Sequence, residues 1–550
     1  MARWKPFGCT IRIIIATAFL ATASLAAAGV DLIEVGIDPP EPPPPPKLFA
    51  WVVPQEEPQN GYEAAWSIAI EQTAIEQPAE AIELNLPDRD PVIVDRLHWE
   101  GRRGYIPSQQ GYAGQIPDPG ADASDFSWRW YGKSPKGYTV ALTMVEGNLA
   151  GRVWAPENVH YALEPGPAGS VLGLVQQGFW TMHPPATEEP PDMPLSAVIP
   201  AGIISKGGAI GSGKWDLTCS GPLPSGYHPI DVLVMYTPGI ITPPPFGTGY
   251  ANVTALRAAV QSALDDANQA LRNVDIGNYV YVLRGLEPAD PFNYDGATIT
   301  TALDKLSGIQ RISPPTSPWC TFPGNTYVAS RRATMWADVV ALARRDQNPN
   351  PLQRTCGVSR AQRHVEILDC PRDPGPGYSQ FSYLVFDPAC SADLMNFAHE
   401  LGHVVGMEHD PKNAKPLVSP NKPSCPWSFG HRRADGGQRF RFHTIMAYAV
   451  DDPAPGGLQG PPQCASATDC PLIDAYSDPV LEWAGYDDGV SMPPFGLQPL
   501  GAIIGAWPIG DIVNPSWRDS IASDTLARLA PTVSDFYPRP DIIFWDGFDW

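Results

Sequence analysis

The chain has 550 residues, of which 43% are hydrophobic: enough to bury a sizeable core, and too long for one ordinary domain. Only 17% are charged, against 64 prolines and 50 glycines, which excludes a helical rod or coiled coil and describes short elements joined by loops. A net charge of −22 with no basic stripe excludes a nucleic-acid partner, because an acidic surface repels phosphate backbones.

Residues 1–28 read as a secretory signal peptide, with Arg3, Lys5 and Arg12 ahead of the apolar run "IIIATAFLATASLAAA". Its removal takes three cations and no acids, moving the charge from −22 to about −25. No later segment has the length and apolarity to span a bilayer, so the mature chain is expected to be secreted, extracellular or periplasmic or at the cell surface, without stable membrane insertion. A monomer is expected. Cys9 leaves with the signal. The other eight cysteines (Cys219, Cys320, Cys356, Cys370, Cys390, Cys425, Cys464 and Cys470) form an even set that predicts disulfides in an exported chain.

The tract "IDPPEPPPPPKLF" (Ile37 to Phe49) makes residues 29–47 a stiff Pro-rich linker. From 48 to 220 the chain alternates apolar and polar residues, as in "GYTVALTMVEGNLAGRVWA" (Gly137 to Ala155), which predicts a mostly β region with nothing catalytic in it. "GAIGSGKW" (Gly208 to Trp215) approaches a phosphate loop. Trp215 stands where Ser or Thr would reach magnesium, so the segment reads as a flexible linker.

A second region, 221–537, opens with the branched run "IDVLVMYTP" (Ile230 to Pro238), a buried strand, and continues with a helix over Val253 to Asn273. Strand and helix signals alternate through "YVYVLRGL", "WADVVALA" and "FSYLVFD", so the fold class is α/β (α+β): a mixed sheet with helices, preceded by a mostly β N-terminal region. A last helix is expected over Arg518 to Phe536, followed by an aromatic tail, 538–550.

The chemistry concentrates in "NFAHELGHVVGMEHDP", Asn396 to Pro411. Residues four apart stack on one helix face, so His399 and His403 can offer imidazoles to one point, with Glu400 beside them as a general base. A left-handed helix end at Gly406 would swing His409 back to the same point. Three neutral imidazoles leave zinc an open position, the arrangement of a catalytic rather than a closed structural site.

"HELGHVVGMEHD" resembles the signature of the metzincin zinc endopeptidases at His399, Glu400, His403, Gly406 and His409, and "HTIMAYA" resembles that family's Met-turn, with Met446 under the metal and Tyr448 two residues on. Asp410 is similar to the reprolysin (adamalysin) branch and Tyr448 to the astacin and serralysin branches. The combination looks most like the bacterial reprolysin-like metallopeptidases, over about Ile230 to Phe536. The resemblance implies a twisted sheet above the active-site helix, a lower subdomain carrying His409 and the Met-turn, one Zn2+ on His399, His403 and His409, and catalysis by Glu400 with Tyr448 steadying the oxyanion. Its substrates would be proteins or peptides. The loop between His409 and Met446, with "CPWSFGHRRADGGQRFRF", departs from the pattern and leaves specificity open.

By position, residues 29 to about 220 resemble a propeptide, and Cys219 could either hold zinc's open site in a latent zymogen or join a disulfide. His431 and His443 lie near the site in sequence, but the triad is complete without them. Two other classes stay open: a non-catalytic zinc-containing cell-surface binding protein, and a zinc hydrolase of non-protein amides.

Overall fold

The computed structural model describes residues 44–54, 64–70, 79–103, 126–177, 228–241, 249–345, 356–360, 382–388, 395–410, 428–434, 441–448, 472–478, 482–483 and 502–503 with interruptions, together with Cys390, Cys464, Cys470 and a few single positions. The expected signal peptide, most of the proline tract, Cys219, the Gly208–Trp215 segment and the aromatic tail lie outside the described residues, as does the expected last helix except Ala527, which is helical.

Nine strands make an antiparallel sheet: β1 (Phe49–Pro54), β2 (Ala64–Ile70), β3 (Ala81–Leu84), β4 (Val92–Arg103), β5 (Phe126–Lys133), β6 (Thr139–Val145), β7 (Asn148–Ala155), β8 (Val159–Glu164) and β9 (Leu172–Gln177). Their spatial order is β1-β2-β9-β8-β7-β6-β5-β4-β3. The expected β-rich region is therefore present. Successive side chains alternate between faces, and one face carries Trp128, Trp130, Val140, Leu142, Met144, Leu149 and Val153 into the sheet's own core.

The second region is mixed α and β. β10 (His228–Tyr236) leads through α1 (Val253–Asn273) to the parallel strand β11 (Tyr279–Pro288). Asn252 caps α1, its side chain accepting from the Ala255 amide, so the helix starts where its sequence provides a cap. After α2 (Ile299–Ser307) come the short pair β12 (Gln310–Arg311) and β13 (Cys320–Thr321), then α3 (Thr326–Met335), β14 (Val339–Ala343), β15 (Gly357–Ser359) and β16 (Tyr383–Phe386). The main sheet here runs β11-β10-β14-β16-β15, parallel except for β15, the antiparallel edge. Its parallel strands read as near-continuous apolar runs because both faces are covered.

α4 (Asn396–Val404) carries "NFAHELGHV". Phe397, Leu401 and Val404 of α4 and Leu256, Val260 and Leu264 of α1 belong to one core with Val232, Val234 and Ala341 of the sheet. The opposite face of α1 turns to β5, β6 and β7, where Val145 and Ala150 pack on Ala258. The helix is thus an inner layer between two sheets, which is why Asp265, Asp266, Asn268 and Gln269 are buried although the helix looks amphipathic.

Candidate metal centre

α4 ends in a Schellman turn. The Gly406 amide donates to the His403 carbonyl and the Met407 amide to the Gly402 carbonyl, both at 2.9 Å. Gly406 has φ 90°, a left-handed conformation that costs a residue with a Cβ more than a glycine. The chain then runs back past the helix. The Glu408 amide donates to the Ser428 carbonyl (2.7 Å) and the Gly430 amide to the Glu408 carbonyl (3.0 Å), fixing His409 beside its two predecessors.

His409 Nε2 lies 3.1 Å from His399 Nε2 and 3.0 Å from His403 Nε2. Three nitrogens bound to one tetrahedral zinc at about 2.0–2.1 Å would be roughly 3.3 Å apart, so the set fits such an ion. Outer ring nitrogens fix the tautomers of two of them. His399 Nδ1 is 2.7 Å from the Ile445 carbonyl and His403 Nδ1 is 2.8 Å from the Met407 carbonyl. A carbonyl only accepts, so each Nδ1 carries the proton and each Nε2 lone pair is left to a metal. Among the described residues, His399, His403 and His409 are the group of His, Cys or acidic side chains spaced to hold a metal ion.

Glu400 is 4% exposed. Its carboxylate faces the start of β15. A Cβ on Gly357 would stand 2.6 Å from Glu400 Oε1, so the glycine leaves room for the acid. Asn396, one turn earlier on α4, donates to the Cys356 carbonyl at 2.5 Å, and Cys356 is joined to Cys390. Helix, edge strand and disulfide are therefore tied together at the carboxylate.

Met446 is fully buried against Gly402 and so lies beneath the ligand helix. The Tyr448 hydroxyl is 2.8 Å from His409 Nε2, and its ring tilts over that imidazole at 4.4 Å between centroids. Two residues hold the Tyr448 peptide from both sides. Asp410 Oδ2 accepts from the Tyr448 amide at 3.1 Å and from Asn413 Nδ2 at 2.7 Å, while Arg432 Nη1 donates to the Tyr448 carbonyl at 3.0 Å. Arg432 Nη2 stands 3.8 Å from Asp410 Oδ1, with both side chains fully buried. The chain between His409 and Met446 thus supplies Arg432 of β17 (Arg432–Arg433), which pairs with β18 (Phe442–His443). Nothing in "GHRRADGG" singles Arg432 out from its neighbour; only the fold does.

His443 stands apart from the triad. Its Nδ1 donates to the Cys470 carbonyl at 2.7 Å, and burial pushes its pKa down to about 4. His431 is not in the triad either; its amide donates to the Thr444 hydroxyl. His98, His160 and His228 are placed on β4, β8 and β10, and His183 and His364 lie outside the described residues. Cys464 and Cys470 form a second disulfide, so two pairs within the half that holds the histidines fit an oxidising compartment. Among the described residues no helix is long and apolar enough to cross a membrane.

No family model matches the chain, and no curated protein matches it. One solved structure, described as "Structure of a chaperone-substrate complex", aligns with a TM-score of 0.34 and 14% identity over 57% of this chain and 40% of that chain. The chain thus spans about 40% of that protein's length, and a likeness this loose carries no argument about fold or function.

Proposed function

We propose that this protein is an exported zinc-dependent endopeptidase of the metzincin type, and that its reaction is hydrolysis of peptide bonds in proteins. The observation that carries this reading is the convergence of three Nε2 atoms, two with their Nδ1 protons committed to carbonyls, beside a buried carboxylate and a tyrosine hydroxyl. A closed structural site has no use for either of the last two.

His399, His403 and His409 would hold the ion. Zinc so bound supplies Lewis acidity, lowering the pKa of a water and polarising a carbonyl. Glu400 then takes the proton of the attacking water on a carboxylate oxygen and delivers it to the nitrogen of the departing amine. The Tyr448 hydroxyl donates a hydrogen bond to the developing oxyanion, and the clamp of Asp410 and Arg432 on its peptide holds that hydroxyl in place. β15 supports a peptide substrate over other amides. It is the outer strand of the main sheet, it lies beside Glu400, and among the described residues no strand pairs with its other side. An extended peptide can add there by main-chain hydrogen bonds.

The test is zinc content and casein cleavage of the secreted protein beside Glu400→Gln. Both should bind about one zinc, with only the parent cleaving and the variant slower by about 10²–10⁴-fold. Equal zinc binding with no cleavage by either, after the leading segment is cut, would favour the binding-protein reading.

A further inference from the structure

Where it meets α1, the face of the nine-stranded sheet that turns away from its own core is charged, yet it is not solvated. Arg129 and Arg152 are fully buried, and they alternate along β5 and β7 with the apolar residues of the sheet core. Arg129 Nη2 donates to Gln269 Oε1 at 3.1 Å, the Thr143 hydroxyl to Asp265 Oδ2 at 2.7 Å, and Arg152 Nε to Asp266 Oδ1 at 3.1 Å. Further out, Glu146 pairs with Arg257 at 2.6 Å and Glu164 with Arg345 at 3.6 Å. Trp154 of β7 belongs to the same apolar core as α1, α4 and the main sheet.

One acid on the other side collects Arg152 and two further groups of β5. Asp474 Oδ2 accepts from the Tyr131 hydroxyl at 2.7 Å and stands 3.8 Å from Arg152 Nη2, and Lys133 Nζ is 3.9 Å from Asp474 Oδ1. Burial would raise this carboxyl; Lys133 and Arg152 outweigh it and hold the group below its ordinary value.

Asp474 sits in a segment that braces the metal ligands at three points. The Ile445 amide donates to the Ala475 carbonyl at 3.1 Å, and the Ile445 carbonyl accepts the His399 Nδ1 proton. The Tyr476 hydroxyl donates to the carbonyl of Ala398, next to His399, at 2.9 Å. The Ser477 hydroxyl donates to the Phe429 carbonyl at 2.7 Å, and Phe429 bridges to Glu408, next to His409.

We propose that the nine-stranded sheet is a retained structural subunit of the enzyme rather than a leader that is shed, and that through Asp474 it positions His399 and His409. The partner that the α1 face and the 472–478 segment fit is the cationic face of β5 and β7 from the same chain. Removing that face would leave Asp266 and Asp474, which share one guanidinium, without a cation between them, and taking one partner from a buried ion pair is strongly destabilising. Retention does not depend on the peptidase reading; the positioning role rests on the metal-site part of it.

The experiment places a recognition sequence for a site-specific protease within Gly208–Gly213 of the full chain, cuts it, and runs the product by gel filtration in molar salt. Co-elution of both fragments with zinc still bound is expected. Separate elution, with the larger fragment folded and holding zinc at its uncut affinity, overturns the proposal. In the uncut chain, Arg152→Met should lower zinc affinity by about 10-fold in a chelator competition, as loss of groups behind metal ligands does, and Arg152→Lys should recover part of it. An Arg152→Met protein that is folded and binds zinc like the parent refutes the positioning role. Neither readout uses cleavage, so an inactive protein whose fragments co-elute with zinc would sink the peptidase reading and leave this one standing.

Discussion

Replacing Gly402 with alanine probes the support under the metal ligands, because the new methyl group enters the space that Met446 fills. An ideal Cβ at 402 would stand 2.3 Å from Met446 Sδ and 3.1 Å from Met407 Cε. Ordinary contact is about 3.5–4.0 Å, so the sulfur has to retreat by roughly 1.5 Å. Met446 and Met407 are both completely buried, which leaves no solvent to retreat into. Overpacking of this kind costs about 1–3 kcal/mol. The displaced turn also carries Ile445, whose carbonyl lies 2.7 Å from His399 Nδ1, and loosening such a partner lowers metal affinity by about 10–100-fold. Denaturant unfolding of the metal-free protein reads the first effect, and zinc competition with a chelator reads the second. A Gly402→Ala protein with the parent's unfolding midpoint and zinc affinity would refute the idea that Met446 supports the ligand helix by contact.

Other outcomes follow from single contacts. Tyr448→Phe should keep its zinc and lower kcat on a peptide by about 10²-fold with little change in KM, measured by steady-state kinetics. Stability should fall on acidification through His443. Its pKa is pushed from 6.5 down to about 4 by burial, so the unfolded chain takes the proton first. The contribution is complete above pH 6.5 and is lost as pH falls to about 4; it amounts to at most about 3 kcal/mol, and His443→Gln should flatten that part of the pH–stability curve. Reducing Cys356–Cys390, which are 34 residues apart, should cost about 4 kcal/mol in a denaturant titration and loosen the strand beside Glu400.

Elements whose signal is local can be read from the chain alone. The run Val253 to Asn273 is bounded by Asn252, a residue that caps helices with its own side chain, and the helix spans those residues. The strand pair in "GYTVALTMVEGNLAGRVWA" follows from alternation around the turn at Glu146 and Gly147. The triad is legible for the same reason: helical spacing brings His399 and His403 together, and a glycine three residues before a third histidine is a local instruction to turn the chain back.

What lies behind those residues depends on contacts that folding alone creates. Arg432, Gly357, Asn396 and Asp474 belong to segments far apart in the chain, and what each does depends on which carbonyl or carboxylate the fold sets against it. Alternation itself misdirects in β5 and β7. A polar residue on every second position reads as a solvated face, but Arg129 and Arg152 point into a second, charged interior. Period-two patterning says that two faces differ and not what covers each one; here the cover is a helix whose own polar side carries Asp265, Asp266 and Gln269. The complementarity of those two faces is written in residues more than a hundred positions apart, and only folding brings them into register.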